Sequence, residues 1–333
     1  MLHKLFMFVH CVGYLHQQLV ALILSDVVGD PLNIIASGPT LPGKVSNAEV
    51  LHILEKFRLT EQIPASALTH LQAQDSHQQA QDSHQQLSPS EDKHRKTPLV
   101  NGDEYSHVRN VIIGNNRVAT EAAADTAQSL GYHSLVWSHQ IQGEARLLGE
   151  AYATIMHKLL EQTSPTIGSS SIEEKLLQSQ PFTELFARNP HLREDFLHLS
   201  GQLKELQLPL CLISAGEPIV VVKGAGIGGR NQELSLAFAL KIHQLQEESS
   251  QPFHQSLFLS IGTDGQDGPC DAAGAAVDTA TVATANKEGL DIAESLDNND
   301  SYTLFSRLSG GKHLIQAGLT GTNVMDLHVL LLV

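Results

Sequence analysis

Two short segments combine residue types that bind anions with residue types that bind cations. The first is a glycine-rich turn that ends at Arg230, and the second, one predicted strand later, carries Asp264 and Asp267. Glycines let a backbone approach an anion, an arginine donates to its oxygens, and carboxylates hold a cation or accept a proton. As one site, these residue types suit phosphoryl transfer.

The glycine-rich turn, residues 224–229, matches the G-x-G-x-x-G pattern of dinucleotide-binding proteins between a predicted strand and a predicted helix. The acidic residue expected about twenty positions later falls before the next strand instead of at its end. Arg230 and Asn231 open the helix, where the dipole and free N–H groups favour an anion. The turn therefore predicts a phosphate or carboxylate clamp. Alternatively, Arg230 only pairs with Glu233 in the first helical turn.

The turn from Thr263 to Gly268 follows a predicted strand and carries two carboxylates. An EF-hand needs Glu at its twelfth position, and counting from Asp264 that position is Ala275, which excludes an EF-hand. The two carboxylates can bind Mg²⁺ or take a hydroxyl proton. Asp-Gly pairs also form ordinary turns, so both interpretations stay open.

Three further loops offer oxygen and N–H groups next to predicted strands. The candidates are Asp26, Ser37, Gly38 and Thr40 after the first strand, Asn115 after the second, and Thr322 and Asn323 before the last. Asp26 is a candidate metal ligand, and the hydroxyl and amide groups are candidate donors to phosphate. Asn115 is equally well explained as a helix N-cap. The sequence has neither a Walker A motif nor a kinase H-R-D loop.

The hydrophobic pattern alternates strands and helices, which predicts a parallel sheet with ligands at the carboxyl ends of its strands. The predicted strands are 20–24, 110–113, 133–137, 210–214, 219–222, 256–261 and 324–333, and the predicted helices are 48–57, 118–130, 143–160, 231–245 and 272–286. The first strand is expected to be buried, and the last to be central because it is a long apolar run.

Length and composition narrow the class of protein. At 333 residues the chain exceeds the ~250 to 300 residues at which single cores stop growing, which predicts two lobes. The 36 acidic and 21 basic residues give a net charge of −15, which disfavours nucleic acid or an anionic membrane as partner. Three scattered cysteines are too few for a disulfide framework or a thiolate metal site. They predict a protein of a reducing compartment.

Three segments of the sequence do not fit the strand and helix pattern. Residues 1–24 contain an apolar run, but polar residues interrupt it and a small-residue cleavage site is lacking, so a globular strand is expected rather than a targeting segment. Residues 72–98 are a polar insert with two copies of Ala-Gln-Asp-Ser-His-Gln-Gln and are predicted to be disordered. Residues 163–206, serine-rich and then charged, are interpreted as an insertion or linker.

Seven motifs in order along the chain resemble the class II glycerate kinases. They are Ser25–Asp30, Ile35–Thr40, Ile113–Asn116, Gly143–Ala145, Gly228–Leu234, Gly262–Gly268 and Thr320–Val324. The resemblance implies an α/β fold with two lobes, a Rossmann-like parallel-sheet N-terminal lobe, incomplete here, and a C-terminal α/β lobe called MOFRL. The implied domains are a partial nucleotide-binding lobe at 1–162, the insertion at 163–206 and the MOFRL lobe at 207–333.

The resemblance also implies ATP and Mg²⁺ as cofactors and D-glycerate as substrate, with phosphoglycerate and ADP as products. By motif position, the implied catalytic residues are Arg230 and Asp264, and the implied metal ligands are Asp264 and Asp26. The implied substrate-binding residues are Asn231, Glu233, Asp267, Thr322 and Asn323. The implied cofactor-binding residues are Asp26, Ser37, Gly38, Thr40, Asn115, Gly228 and Gly229. A cytoplasmic enzyme is expected, and a mitochondrial pool and a homodimer are left open.

The sequence departs from the family in two places. Family members carry a long portion before the Ser-Asp-Val segment, with a glycine-serine phosphate loop and a lysine, where this sequence has twenty-four residues. The second lobe opens with Ser214–Pro218 instead of a Gly-Gly-Glu-Thr type turn. These departures predict a truncated form with weak or no activity. The alternatives are a non-catalytic binding partner and, from the glycine pattern alone, a dinucleotide-dependent oxidoreductase.

Overall fold

The computed structural model describes residues 18–41, 47–72, 105, 107–162, 172–203, 208–249 and 256–333. The chain divides into two compact units. The first unit comprises residues 1–21 and 36–110, and the second unit comprises residues 22–35 and 111–333. Most of the polar insert at 72–98, Cys11 and residues 1–17 of the N-terminal segment lie outside the described residues.

Strands and helices alternate through much of the described chain. The strands are β1 (Leu19–Leu24), β2 (Val108–Gly114), β3 (His133–Val136), β4 (Leu210–Gly216), β5 (Ser256–Gly262), β6 (Gly274–Asp278), β7 (Leu314–Ile315) and β8 (Asp326–Leu332). The helices are α1 (Asn47–Lys56), α2 (Asn116–Ser129), α3 (Ala145–Gln162), α4 (Ile172–Leu177), α5 (Gln180–Arg188), α6 (Pro190–Gln202), α7 (Arg230–Glu248), α8 (Thr281–Lys287), α9 (Ile292–Asp297) and α10 (Ser301–Arg307).

The strands of the described chain form two sheets. Strands β1 and β2 run parallel in a two-stranded sheet. The other six form a mixed sheet in the order β3-β4-β8-β5-β6-β7, in which only β3 and β4 are parallel. The α/β class is therefore confirmed, whereas the parallel pattern predicted from strand and helix alternation holds only for β1 with β2 and β3 with β4.

The last strand, β8, is central in the six-stranded sheet, where its apolar side chains are buried against those of both neighbouring strands. Strand β8 lies between β4 and β5, as its apolar composition predicted. Leu330 faces Leu212 on one side and Phe258 on the other, and all three are buried. Helices α3 and α7 pack along each other, and α7 also covers β5 and β6. Helix α2 contacts β3, β4 and β8.

The segment interpreted as a linker contributes to the core. Helices α4, α5 and α6 lie within 163–206, and Phe182 and Phe196 are fully buried with ring centroids 5.0 Å apart. Both rings also contact Trp137, which follows β3. The description of this stretch as a linker is therefore wrong for residues 172–203. Their charged residues occupy the outer helix faces and hide the apolar ones from a composition-based reading.

Three predicted elements differ from the structure. Strand β1 is not buried, since Val20 and Leu22 are more than half exposed. Residues 219–222 form only an isolated bridge from Ile219 to Glu144 instead of a strand. The alanine-rich stretch 272–286 forms strand β6 followed by helix α8. The backbone of β6 pairs with β5, and the side chains of Ala275 and Val277 are buried beneath α7. Tertiary pairing overrides the helix propensity of alanine here.

In the described part of the chain, no helix has the length and apolar character needed to cross a membrane.

The close approach of α3 and α7 depends on Gly149. A Cβ atom at this position would lie 2.5 Å from the carbonyl oxygen of Leu234 and 2.8 Å from the backbone nitrogen of Phe238. We expect Gly149→Ala to lower the free energy of unfolding by ~1 to 3 kcal/mol, because two helix backbones must move apart. Urea unfolding measures this change.

Gly201, near the end of α6, is the matched control, since a Cβ there would have no atom within 4 Å. Gly201→Ala should leave the stability unchanged or raise it by up to ~1 kcal/mol. Equal effects of the two substitutions would contradict the packing explanation.

Candidate active site

The polar residues of the second unit meet at one edge of the six-stranded sheet. Strands β4 and β5 both run antiparallel to β8, so both end where β8 begins. In this register Asp326 lies between Gly216 and Gly262. Glu217 follows β4 directly, and Asp264 follows β5 after one intervening residue. The sheet itself therefore brings three carboxylates to one edge.

Arg230, at the first position of α7, is the cation of this cluster. Its Nε donates to Asp326 Oδ2 at 2.5 Å and its Nη2 donates to Asp326 Oδ1 at 3.0 Å, which is a bidentate pair. Its Nη1 forms an ion pair with Glu217 Oε1 at 3.2 Å. A guanidinium has five N–H donors, so these contacts leave two for another oxyanion. The side chain is 34% exposed, which leaves it accessible.

The carboxylate that holds Arg230 is buried. Asp326 is 1% exposed, and this burial raises its pKa to about 6, although the hydrogen bonds and charge of Arg230 oppose the shift. Burial disfavours the charged form of Arg230 as well, but the bonds to Asp326 and the charges of Asp326 and Glu217 outweigh it and raise the pKa of the guanidinium. Arg230 therefore stays charged.

Asp264 lies next to Asp326, with its side chain partly exposed. A Cβ atom on Gly262 would lie 3.1 Å from Asp264 Oδ1 and 3.6 Å from Asp326 Oδ1, so both oxygens lie close to one point. Asp264 Oδ1 accepts from the backbone N–H of Gln266 at 3.0 Å. Because Asp326 also holds Arg230, the predicted pair Arg230 and Asp264 is brought to one place.

The start of α7 is already occupied by a carboxylate of the protein. The N-cap residue, Gly229, has no side chain, and Asp267 takes its place. Asp267 Oδ1 accepts from the backbone N–H of Asn231 at 3.0 Å, and Oδ2 accepts from that of Gln232 at 2.9 Å. Asp267 is 2% exposed. The N–H groups expected to bind phosphate therefore bind Asp267. The role of Asp267 is revised from substrate binding to capping the start of α7.

The glycines of the turn allow close packing of protein on protein. A Cβ on Gly224 would lie 2.3 Å from the carbonyl oxygen of Asn298, and one on Gly228 would lie 2.2 Å from Ser301 Oγ. One on Gly229 would lie 2.3 Å from Asp267 Oδ1. Gly224 and Gly228 are thus required where the chain at the end of α9 and the start of α10 packs against the turn. The cofactor-binding role of Gly228 and Gly229 stays a prediction.

Two more predicted substrate ligands are internal. Asn231 is 1% exposed, and its Oδ1 accepts from Ser260 Oγ at 2.6 Å. Glu233 is 2% exposed; its Oε1 pairs with Arg146 Nε at 2.9 Å and its Oε2 accepts from Asn299 Nδ2 at 2.9 Å. The alternative pairing of Arg230 with Glu233 is therefore wrong. Both side chains are buried and bonded to other groups of the protein, and their role in substrate binding stays a prediction.

Asn299 extends this support to the glycine-rich turn. Its Oδ1 accepts from the backbone N–H groups of Lys223 at 2.7 Å and Gly224 at 3.0 Å. Arg146, at the start of α3, donates from Nη2 to the carbonyl oxygen of Leu296. The chain of contacts from Arg146 through Glu233 to Asn299 therefore fixes the turn that leads into α7.

The candidates from the first two predicted loops are divided between the two units. Ser37, Gly38 and Thr40 belong to the first unit, where the hydroxyl of Thr40 donates to Asn110 Oδ1. Asn115, in the second unit, accepts from the backbone N–H of Val118 at 3.0 Å, which confirms the N-cap interpretation. Its Nδ2 donates to Asp30 Oδ2 at 2.6 Å.

The remaining candidates are Asp26, Thr322 and Asn323. Asp26 follows β1 within the second unit, and no hydrogen bond or ion pair joins it to Asp264 in the described residues. Thr322 is exposed, and Asn323 Oδ1 accepts from the backbone N–H of Met325 at 2.9 Å. Among the residues that the structure describes, no three His, Cys, Asp or Glu side chains are grouped to hold a metal. The metal role of Asp26 and Asp264 stays a prediction.

Glu217, Asp326 and Arg146 were not among the predicted site residues. The position of Glu217 at the carboxyl end of β4 is a usable signal, since ligands bind at strand ends in α/β sheets. Asp326 is an acidic residue at the start of a largely apolar strand, which is unfavourable unless it has a partner. Arg146 gives no such signal, because a basic residue in the first turn of a helix is most often solvated.

A second row of polar side chains lies two residues further along β8 than Asp326. His328 is fully buried between Ser214 and Ser260 in the strand register, and Tyr152 OH lies 3.1 Å from its Nδ1. Burial, aided by the charge of Arg230, lowers the pKa of His328 to about 3. This histidine is therefore neutral and adds no charge beneath Arg230.

Comparisons with known proteins identify the family to which the chain is similar. The MOFRL family model matches residues 210–326, and a domain of unknown function (DUF4147) matches residues 12–72. A glycerate kinase of Macaca fascicularis is 40% identical over 95% of this chain and 72% of its own length. One of Mus musculus is 42% identical over 95% of this chain and 55% of its own length.

The fold comparison gives the same family. The crystal structure of glycerate kinase from Thermotoga maritima is 31% identical, with a TM-score of 0.65 over 95% of this chain and 57% of that one. The chain thus spans little more than half the length of most curated relatives that it matches. On sequence, fold and motif order, the chain belongs to the class II glycerate kinase family.

Proposed function

We propose that the chain provides the catalytic edge of a glycerate kinase, which transfers a phosphoryl group from ATP to D-glycerate and releases ADP. One observation carries this proposal: Arg230 is fixed by Asp326 and Glu217 with two N–H groups left over, beside the accessible carboxylate of Asp264. The activity remains a proposal for this chain because it spans about half the length of most curated relatives.

Arg230 serves as an oxyanion donor in this proposal. Phosphoryl transfer depends on positioning and on stabilising charge over the transferred group, for which a held guanidinium is suited. The pair with Asp326 fixes the plane of the guanidinium, so little rotational freedom is lost when an oxyanion binds. The same two N–H groups would equally hold the carboxylate of glycerate, and either role requires the guanidinium.

Asp264 is the proposed proton acceptor. It lies at the same edge as Arg230, and its Oδ1 is oriented by the N–H of Gln266. A glycerate hydroxyl must lose its proton as it attacks phosphorus, and a carboxylate within hydrogen-bond reach accepts it. Thr263, one residue earlier, bonds to Met325 and Val324 through its hydroxyl, which ties this turn to the start of β8.

ATP and Mg²⁺ are the proposed cofactors. Mg²⁺ binds few carboxylates directly and keeps water ligands, so a single accessible carboxylate such as Asp264 fits one of its positions. The ion would neutralise phosphate charge during transfer. Asp326 does not fit a metal role, because both of its oxygens accept from Arg230. The proposed location is the cytoplasm, as the cysteine content indicates.

Two other functions give different experimental results. A non-catalytic chain would bind Mg-ATP or a partner and release no ADP with D-glycerate. A dinucleotide-dependent oxidoreductase would bind NADH, but the packed glycine turn disfavours it. A coupled assay of ADP release beside an NADH titration separates the three.

Arg230→Lys tests the role of the guanidinium. Lysine retains the charge but loses the planar fork, so it cannot bind Asp326 in a bidentate manner and donate outward at once. We expect turnover of D-glycerate to fall by at least roughly tenfold. Arg188→Lys is the control, because Arg188 is exposed and, within the described part of the chain, forms an ion pair only with Glu184 on its own helix. Equal turnover in both variants would remove Arg230 from the reaction.

Asp326 is expected to make the stability of the protein depend on pH. Its pKa in the folded protein, about 6, exceeds the ordinary 3.8, so the folded state binds this proton more tightly than the unfolded state. As pH rises from 3.8 to about 6, the folded state loses this advantage, so the contribution of Asp326 to the free energy of unfolding falls. We expect Asp326→Asn to lose this contribution. Urea unfolding at pH 4.5 and 7 measures it as the difference between wild type and variant, and an identical pH dependence would contradict it.

A further inference from the structure

The first turn of α7 has no capping side chain of its own. Helix α7 begins at Arg230, and the four N–H groups of a first turn have no partners within the helix. Gly229 precedes it without a side chain, and Glu233 N–H bonds to the Gly229 carbonyl. The helix that carries Arg230 therefore needs an acceptor from elsewhere in the chain.

Asp267 supplies this acceptor with both carboxylate oxygens. Besides the two backbone N–H groups, it accepts from the side chain of Asn231 at 3.2 Å and that of Gln232 at 3.0 Å. Burial raises the pKa of Asp267, and these four donors oppose the rise. A carboxylate with four donors is held in one orientation, since any rotation breaks several bonds.

The backbone around Asp267 is locked against the same helix start. Gly268 has φ of 71°, and a Cβ there would lie 2.2 Å from the carbonyl oxygen of Gly228. The backbone N–H of Asp267 donates to the carbonyl oxygen of Ala272 at 2.7 Å, just before β6. The turn and the helix start are thus in contact through backbone as well as side chain.

Asp267 lies three residues after Asp264 in this turn. Arg230 and Asp264 come from segments that are more than thirty residues apart, and Asp267 bonds directly to the residues that follow Arg230. We infer that Asp267 is a positioning residue that fixes the Arg230 guanidinium relative to the Asp264 carboxylate. This inference rests on the proposed function only for its effect on turnover.

The experiment follows the Arg230 side chain itself. In the full chain, ¹⁵N spectra detect the arginine Nε–H groups, and the Arg230 signal is assigned by its loss in Arg230→Lys. Asp267→Asn keeps the shape of the side chain but replaces one acceptor oxygen with an NH₂ group, which cannot accept from the N–H donors around it. We expect the Arg230 Nε–H signal to shift and its hydrogen exchange to accelerate at least roughly tenfold, because the hold on Asp326 loosens.

Asp271→Asn is the matched control, because Asp271 lies on the same loop, is exposed and bonds to Tyr302 and Gln316. It should leave the Arg230 signal unchanged. An unchanged signal in Asp267→Asn, together with a lower melting temperature, would reduce Asp267 to a helix cap and overturn the inference. Should Asp267→Asn fail to fold, Gln232→Met decides in the same way, since it removes one side-chain donor to Asp267.

Turnover gives a second readout that separates the inference from the proposed function. If Asp267 acts through Arg230, its substitution lowers kcat for D-glycerate at least roughly tenfold with a smaller change in KM. A wild-type chain without turnover whose Arg230 signal still moves in Asp267→Asn would contradict the proposed function and leave the inference intact. Unchanged kcat with a moved signal would overturn the catalytic part of the inference.

Discussion

The bidentate pair between Arg230 and Asp326 is the interaction on which the site depends. Burying a carboxylate is costly unless it is paired and hydrogen-bonded, and Asp326 is 1% exposed within the sheet. Its two neighbours in the register are Gly216 and Gly262, which carry no side chains. A Cβ atom on Gly216 would lie 2.0 Å from the carbonyl oxygen of Ile141, and one on Gly262 would lie 2.9 Å from that of Gln266, so both glycines admit neighbouring backbone beside the strand ends. The pair thus fixes the start of α7 at the start of β8, where the strand register has already placed the ends of β4 and β5.

The protein satisfies several anion-binding features with its own carboxylates. Asp267 takes the N–H groups at the start of α7, and Glu233 takes Arg146. The free N–H groups at the start of α7 indicated a ligand when considered from residue type alone, whereas Arg146 did not. Since they are used internally, the accessible groups of this edge, among the residues that the structure describes, are the two remaining N–H groups of Arg230 and the carboxylates of Asp264 and Glu217. A small set of accessible groups on a rigid internal frame is the usual construction of a catalytic site.

The sequence predicts the elements of this site better than its contacts. The apolar run of β8, the helix after Gly229 and the turn at Asp264 follow from periodicity and turn chemistry, and the structure confirms them. The pairing of Arg230 with Asp326 does not follow, because it depends on the sheet order and register. The glycine-rich turn is ambiguous for a physical reason: a glycine that admits a phosphate and one that admits another backbone are the same residue. Only the position of Asn298 and Ser301 distinguishes them.

The charge of the cluster limits how it can bind phosphate. Glu217, Asp264 and Asp326 bring three carboxylates to one guanidinium, and the whole chain carries a net charge of −15. Steering by the overall field therefore opposes an anionic substrate, and attraction must be local. At pH values below the pKa of Asp326, about 6, one of these negative charges is lost, but so is the partner that orients Arg230. A divalent cation bound to the phosphates offsets the carboxylates without disturbing that pair, which is the physical reason to expect Mg-ATP instead of free ATP at this edge.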